Sequence, residues 1–286
     1  MKKKVLVIGA SGFLGTALMQ ELSKKFNVIG TFFGEKKQGL IELDLNNSVQ
    51  LDSVLNSVFP ELIVLAAAET DVDAYELKPE ISRNQIISAK KIVEYCKEKN
   101  CFLVFISTDA VFDGKKGNYN ETDAPNPICE YGRNKLSLEK IISSLKNYLI
   151  LRTSVLYGLP LSPDKFIGGT ILKLLKKEKV FVAEDWKRTP TLTTDLAKAL
   201  INLTEKNQKG LFHAAGNSSL SSYETALAIA EKFNVPSSLI EKIKGDELKL
   251  PAKRPLDSSL NISKLLSLGI RMSSFEEGLE FIHSNL

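Results

Sequence analysis

The chain has 286 residues, 43% hydrophobic and 25% charged, with a formal net charge of +4. That length holds one large α/β domain or two intimate ones, and the composition is that of a folded globular protein. The small charge, with lysines interleaved with glutamates as in "EYCKEK", argues for solvated helix faces and against a nucleic-acid partner.

Three cysteines (Cys96, Cys101 and Cys129) form no C-x-x-C pair, and His213 and His283 are the only histidines. This argues against a structural zinc site and fits reduced thiols. The apolar run Val5 to Ile8 is too short for the core of a secretory signal, and "LIVLAAA" falls far short of the about 20 residues of a membrane span. The expectation is a cytoplasmic protein with no membrane partner.

The first half alternates short apolar runs with amphipathic segments. "KVLVIG" is followed by the helix-like "FLGTALMQELSKKF", then "NVIGTFF", "LIELDL", a helical "SVQLDSVLNSVF" and the apolar "ELIVLAAA". A long amphipathic stretch from about Pro79 to Lys99 leads into "CFLVFIST", another helix begins near Ile128, and "YLILRTS" closes the half. Strand runs without in/out alternation are buried on both faces, and intervening helices imply crossovers. The fold class is α/β, a doubly wound parallel sheet of the Rossmann type with a smaller C-terminal lobe. In the second half "VFVAE" and "GLFHAAG" predict strands, and "TTDLAKALINLTEK" and "YETALAIAEKF" predict helices. The division is a sheet domain over 1–155, completed by about 188–214, and a second lobe over 156–187 and 215–286.

"VLVIGASGFLGTAL" places Gly9, Gly12 and Gly15 between the first strand and its helix. One glycine permits the tight turn, another lets backbone approach a pyrophosphate, and the third allows close helix–strand packing. Free N–H groups at the helix start face the anion. Enzymes that use NAD usually carry Asp or Glu at the end of the second strand. Here Thr31 and Phe32 stand there, followed by Lys36 and Lys37. A 2′-phosphate is drawn to lysines and repelled by a carboxylate, so NADP(H) is preferred, with NAD(H) the alternative.

Two Tyr-x-x-x-Lys pairs occur, Tyr95–Lys99 and Tyr131–Lys135, and spacing alone does not separate them. Tyr131 follows "FISTDAVFDG" and "YNETDAPNPICEYGRNK". This order of Ser-Thr-Asp, Val-Phe-Asp-Gly, Glu-x-Asp-x-Pro-x-Pro and Tyr-Gly-x-x-Lys resembles the extended short-chain dehydrogenases, and more narrowly the dTDP-4-dehydrorhamnose reductase family. "LAAAETDVDAYE", Asn84, "ILRTSVLYG", "RTPT" and "KRPLDSSLN" fall in the same order, so the resemblance spans roughly residues 4 to 264. Tyr131 then sits on the helix after the fifth strand, near the edge where such sheets bind ligands, and Tyr95 does not.

The resemblance implies NADPH-dependent reduction of a nucleotide-linked keto sugar, most narrowly dTDP-4-dehydro-L-rhamnose. Thr108, Tyr131 and Lys135 would be catalytic: Thr108 fixes the substrate oxygen, Tyr131 gives the proton, and Lys135 lowers the phenol pKa. The cofactor would meet Gly9, Ser11, Gly12, Phe13, Leu14, Gly15, Thr31, Asp44, Leu45, Ala66, Ala67 and Ala68, as well as Tyr131 and Lys135. The substrate would meet Thr70, Val72, Thr108, Asp109, Val155, Arg188 and Arg254. The two arginines, Arg254 directly before a proline and Arg188 two residues before one, are candidates for a diphosphate. Val155 stands where bacterial members carry a tryptophan against the sugar. Ala17 stands where some carry a glutamate that bridges a dimer through Mg²⁺, so no metal is expected and a homodimer is left open. The valine is also similar to the regulatory subunit of methionine adenosyltransferase, an NADP-binding alternative. A dehydratase or epimerase ranks lower, because Ala110 follows Asp109 where dehydratases carry a second acid.

Overall fold

The apolar runs of the first half do become strands. In the computed structural model, which describes residues 2–286, the first half runs β1 (Lys4–Ile8), α1 (Phe13–Leu22), β2 (Asn27–Phe32), β3 (Ile41–Glu42), α2 (Ser48–Val58), β4 (Leu62–Leu65), α3 (Val72–Leu77), α4 (Pro79–Lys99), β5 (Phe102–Thr108), α5 (Glu130–Ile142) and β6 (Tyr148–Thr153). The second half runs β7 (Leu156–Tyr157), α6 (Phe166–Leu175), β8 (Val180–Ala183), β9 (Lys187–Arg188), β10 (Thr191–Leu192), α7 (Thr193–Glu205), β11 (Gly210–His213), β12 (Leu220–Ser221), α8 (Ser222–Lys232), β13 (Ile240–Ile243), α9 (Ser263–Ser267) and α10 (Phe275–Ser284).

Seven strands form one parallel sheet in the order β11-β6-β5-β4-β1-β2-β3. Successive strand residues point to opposite faces, and helices cover both. Val5, Val7, Val64, Val104 and Leu151 pack with α1 and α7. Leu6, Ile8, Ile63, Leu65, Phe105 and Ile150 pack with α2, α4 and α5. That two-sided burial is why these runs show no alternation in the sequence. The doubly wound fold class is what the structure shows.

Local signals set the helix ends. The Asn47 side chain accepts from the Gln50 N–H to start α2. Pro79 opens α4 where no donor is needed, and Asn100, at φ 52°, stops it in the left-handed conformation. The helix expected near Ile128 starts at Glu130, because Cys129 is still extended at φ −132°. The strand expected at "LIELDL" shrinks to Ile41–Glu42 at the sheet edge.

A third apolar cluster builds the smaller lobe. Ile167, Ile171 and Leu174 of α6, Ile229 of α8 and Phe275, Leu279 and Ile282 of α10 pack together with Val180 and Val182. Capping boxes, Ser221 with Glu224 and Ser274 with Glu277, start α8 and α10. The stretch from Leu260 to Met272 packs in the first cluster, with α7, rather than in this one.

The contact of α1 with α7 closes one face of the sheet, and Leu200 is fully buried there. Leu200→Ala is expected to lower unfolding free energy by about 2–5 kcal/mol, read as a fall in the urea midpoint. Leu266→Ala, at a site 41% exposed, is the comparison and should stay within about 0.5 kcal/mol.

Candidate active site

The strand order reverses between β1 and β4, so the loops that follow them diverge and leave a crevice at the carboxyl edge. A cavity of about 960 Å³ lies over that edge and reaches to the smaller lobe. Apart from Lys36 and Lys37, every residue that the sequence nominates for catalysis, cofactor or substrate lines it, Gly9 through Arg254.

One wall is the glycine loop. Gly9 has φ +92°, and a Cβ on it would lie 2.7 Å from the Ala67 backbone. A Cβ on Gly15 would lie 2.1 Å from the Gly9 carbonyl oxygen. Only glycine therefore lets α1 press on the turn. That helix starts at Gly12 with no side-chain cap, so its first N–H groups are left for a ligand at the cavity wall. Buried Thr31 accepts from the Gly9 N–H at 3.2 Å and ties the loop to β2. Lys36 and Lys37 lie elsewhere. Gly34, at φ +86°, turns the chain after β2, the two lysines fall outside the cavity lining, and Lys37 pairs with Glu35 at 3.1 Å.

The opposite wall carries Thr108, Tyr131 and Lys135. Helix α5 reaches Thr108 only because Gly132 follows the tyrosine: a Cβ there would lie 2.2 Å from the Ala110 carbonyl oxygen. Tyr131 packs edge-on against Tyr75, with ring centroids 5.2 Å apart. Tyr75 is held in turn by bonds to the Glu69 carbonyl and from Gln85 Nε2. Lys135 is buried, donates to the Ile106 carbonyl at 3.1 Å and sits 4.8 Å from the Phe105 ring centroid.

The expected lowering of the phenol pKa by Lys135 is not what this geometry produces. The Tyr131 ring lines the cavity yet is packed deeply enough that burial pushes its pKa above the usual phenol value, with a hydrogen bond to Thr108 opposing the rise. Burial pulls the Lys135 ammonium down to about 8, with Glu139 opposing. Each partner moves toward its neutral form because each loses water. Tyr95, by contrast, is buried in α4 against the second cluster, and its hydroxyl has no partner.

Toward the smaller lobe, Asp109 accepts from Ser154 Oγ at 2.8 Å, from Thr108 Oγ1 at 3.1 Å and from Ser258 Oγ. Its oxygens join three segments. Arg188 Nε lies 3.7 Å from the same carboxylate. Arg254 makes a two-pronged pair with Asp73, at 3.0 and 3.1 Å. Val155 has φ +34°, rare for a β-branched residue, at the bend between β6 and β7. Thr70 accepts from Lys165 Nζ at 2.9 Å across the cavity mouth. Lys165, Phe166, Phe181 and Trp186 also line the cavity and were not picked out from the sequence. Trp186 is the only tryptophan, a signal that could have singled it out.

Among the described residues no group of three or more His, Cys, Asp or Glu side chains is placed to hold a metal ion, and no helix is long and apolar enough to cross a membrane. The family model described as "RmlD substrate binding domain" matches residues 2–286. The chain is 32% identical to methionine adenosyltransferase 2 subunit beta of Mus musculus, over 97% of this chain and 86% of that one. It is 33% identical to dTDP-4-dehydrorhamnose reductase of Aggregatibacter actinomycetemcomitans, over 98% of each. The dTDP-4-dehydrorhamnose reductase of Bacillus anthracis, solved in complex with NADP, superposes with a TM-score of 0.90 over 100% of both chains at 30% identity. The match takes in both walls of the cavity and the smaller lobe, and the chain belongs to the RmlD substrate-binding-domain family.

Proposed function

We propose that the protein is an NADPH-dependent reductase of a nucleotide-linked 4-keto-6-deoxy sugar, with dTDP-4-dehydro-L-rhamnose as its substrate and dTDP-L-rhamnose as its product. The observation that carries this reading is the meeting of Thr108, Tyr131 and Lys135 on one wall of a cavity whose other wall is the glycine cradle. The solved NADP complex of the Bacillus anthracis relative supports the cofactor.

Gly9, Gly12 and Gly15 would hold the pyrophosphate, with Thr31, Asp44, Leu45 and Ala66 to Ala68 around the remainder. When bound, NADPH would supply a hydride to the sugar's carbonyl carbon. Thr108 and Tyr131 hold the carbonyl oxygen, and Tyr131 passes its phenolic proton to that oxygen, giving the secondary alcohol. A pKa raised by burial keeps the phenol protonated before the step. The phenolate left behind is costly in a buried site unless a cation stands near, which is the role of Lys135. The cavity-lining cations Arg188, Arg254 and Lys165 would bind the substrate diphosphate.

Three outcomes test this. Wild-type protein should oxidise NADPH with dTDP-4-dehydro-L-rhamnose generated in situ. Tyr131→Phe should keep cofactor affinity and lose turnover by roughly 10²-fold or more, while Tyr95→Phe, which removes only an unpartnered hydroxyl, should leave turnover unchanged. Activity with a different nucleotide-linked ketose would preserve the chemistry and discard this sugar.

Fluorescence titration should show NADPH bound on the order of tenfold more tightly than NADH, the scale of one charged hydrogen bond. Because Lys36 and Lys37 lie outside the cavity lining, their joint replacement by alanine decides whether the loop reaches the 2′-phosphate. An unchanged ratio would remove them from the site.

Arg188→Ala and Arg254→Ala should each raise KM for the nucleotide sugar more than they lower kcat, since a diphosphate contact acts on substrate and transition state alike.

A second reading has its own support, since mouse methionine adenosyltransferase 2 subunit beta matches as well as the bacterial reductase. In that case the protein would bind NADPH and a methionine adenosyltransferase catalytic subunit, and would turn over no keto sugar.

A further inference from the structure

The proposed chemistry makes no use of Glu139, yet this carboxylate is 6% exposed and sits one helical turn beyond Lys135 on α5. It accepts from Arg152 Nε at 2.9 Å and from Arg152 Nη2 at 2.7 Å. It also accepts from Ser107 Oγ at 2.5 Å. Ser107 is the residue before Thr108, and Arg152 is its register partner on β6. One carboxylate thus joins the helix that carries Tyr131 and Lys135 to the strand that ends in Thr108. Stability alone is a poor reason for such a pair, because two packed apolar side chains usually serve a core as well.

Lys135 supplies the reason. Its buried ammonium makes a single hydrogen bond, to a neutral carbonyl. The charged groups on the elements packed around it are Glu139 on its own helix, Arg152 on β6, Asp109 after β5, Glu80 on α4 and, on α3, Asp73, which pairs with Arg254, and Glu76, which accepts from the Glu130 N–H. Asp109 is engaged by Ser154, Ser258 and Arg188, and Arg152 and Glu139 by each other, Glu139 being the carboxylate one turn from Lys135 on the same helix. Of these groups, Glu139 is the one that favours the charged form of Lys135. Tyr75 and Tyr131 are kept neutral by burial, and so is His213 on β11.

We propose that Glu139, clamped by Arg152 and Ser107 one helical turn from Lys135, is the buried counter-charge that keeps Lys135 cationic beneath Tyr131. The inference rests on the reductase reading of this site. Glu139 lies outside the cavity lining and is a positioning residue, acting through Lys135.

The sign follows from the charge. Lys135 is cationic below its midpoint and neutral above it, so removing the negative charge moves the midpoint, and any activity that needs the cation, to lower pH. The test uses protein labelled with ¹³C at the lysine ε-carbons, with Lys135→Arg assigning the resonance. Wild type should titrate near the 8 that its burial sets. Glu139→Gln should lower the midpoint by on the order of one pH unit. The alkaline limb of kcat should move with it, and KM for the keto sugar should hold. Ser107→Ala keeps the charge and should leave the midpoint in place.

Glu139→Gln strands the buried Arg152 charge and threatens the fold, so Glu139→Gln/Arg152→Gln is measured beside it and should show a shift of the same sign. An unchanged midpoint in a folded variant overturns the proposal. The resonance reports whether or not the protein turns over. A shifted midpoint without wild-type turnover would retire the reductase reading and leave the role of Glu139 standing, and turnover with an unmoved midpoint would do the reverse.

Discussion

Parallel strands all point the same way, so every loop from strand to helix leaves from one edge of the sheet. The site depends on that constraint. The loops after β1, β4, β5 and β6 are far apart in the sequence, yet they open side by side because those four strands are neighbours. The reversal of strand order between β1 and β4 then parts the first two loops and leaves the crevice. No side chain has to be placed specially for this to happen, since the two-sided burial that forms the sheet also gathers the chemistry.

Within the crevice, three glycines set how close the walls come. Gly9 and Gly15 let helix α1 and the turn meet at distances no Cβ tolerates, and Gly132 does the same for α5 against Ala110. The Gly in "EYGRNK" is as much a part of the site as the tyrosine before it, because it decides how near that tyrosine stands to Thr108. Such contacts also exclude water. Burial then raises the phenol and lowers the ammonium, each toward neutrality. The first shift leaves the phenol protonated and makes it a weaker acid. The second threatens the neighbouring cation, and Glu139 opposes it. The site is therefore two layers deep, with Tyr131, Lys135 and Thr108 at the surface of the cavity and an ion pair beneath.

The smaller lobe contributes differently. Arg188, Arg254, Lys165 and Trp186 reach the cavity from short strands and loops, and several are already engaged with the larger domain: Arg254 with Asp73, Lys165 with Thr70, Arg188 with Asp109. These cross-links tie the lobe to the sheet edge.

The sequence alone determined the class of fold and the glycine loop, and the resemblance of "EYGRNK" in its setting separated Tyr131 from Tyr95. These are local matters: unalternating runs report two-sided burial, and a turn, a cap or a four-residue spacing is written in adjacent letters. The short strands β9, β10 and β12 and the helices α3 and α6 were not legible, because their hydrogen bonds and packing come from remote segments. Tertiary structure alone decided the direction of the Tyr131 shift, the position of Lys36 and Lys37 away from the cavity, and the pairing of Glu139 with Arg152 and Ser107. Desolvation and buried charge depend on what surrounds a group in three dimensions, and residues 107, 139 and 152 become neighbours only when the sheet has closed over them.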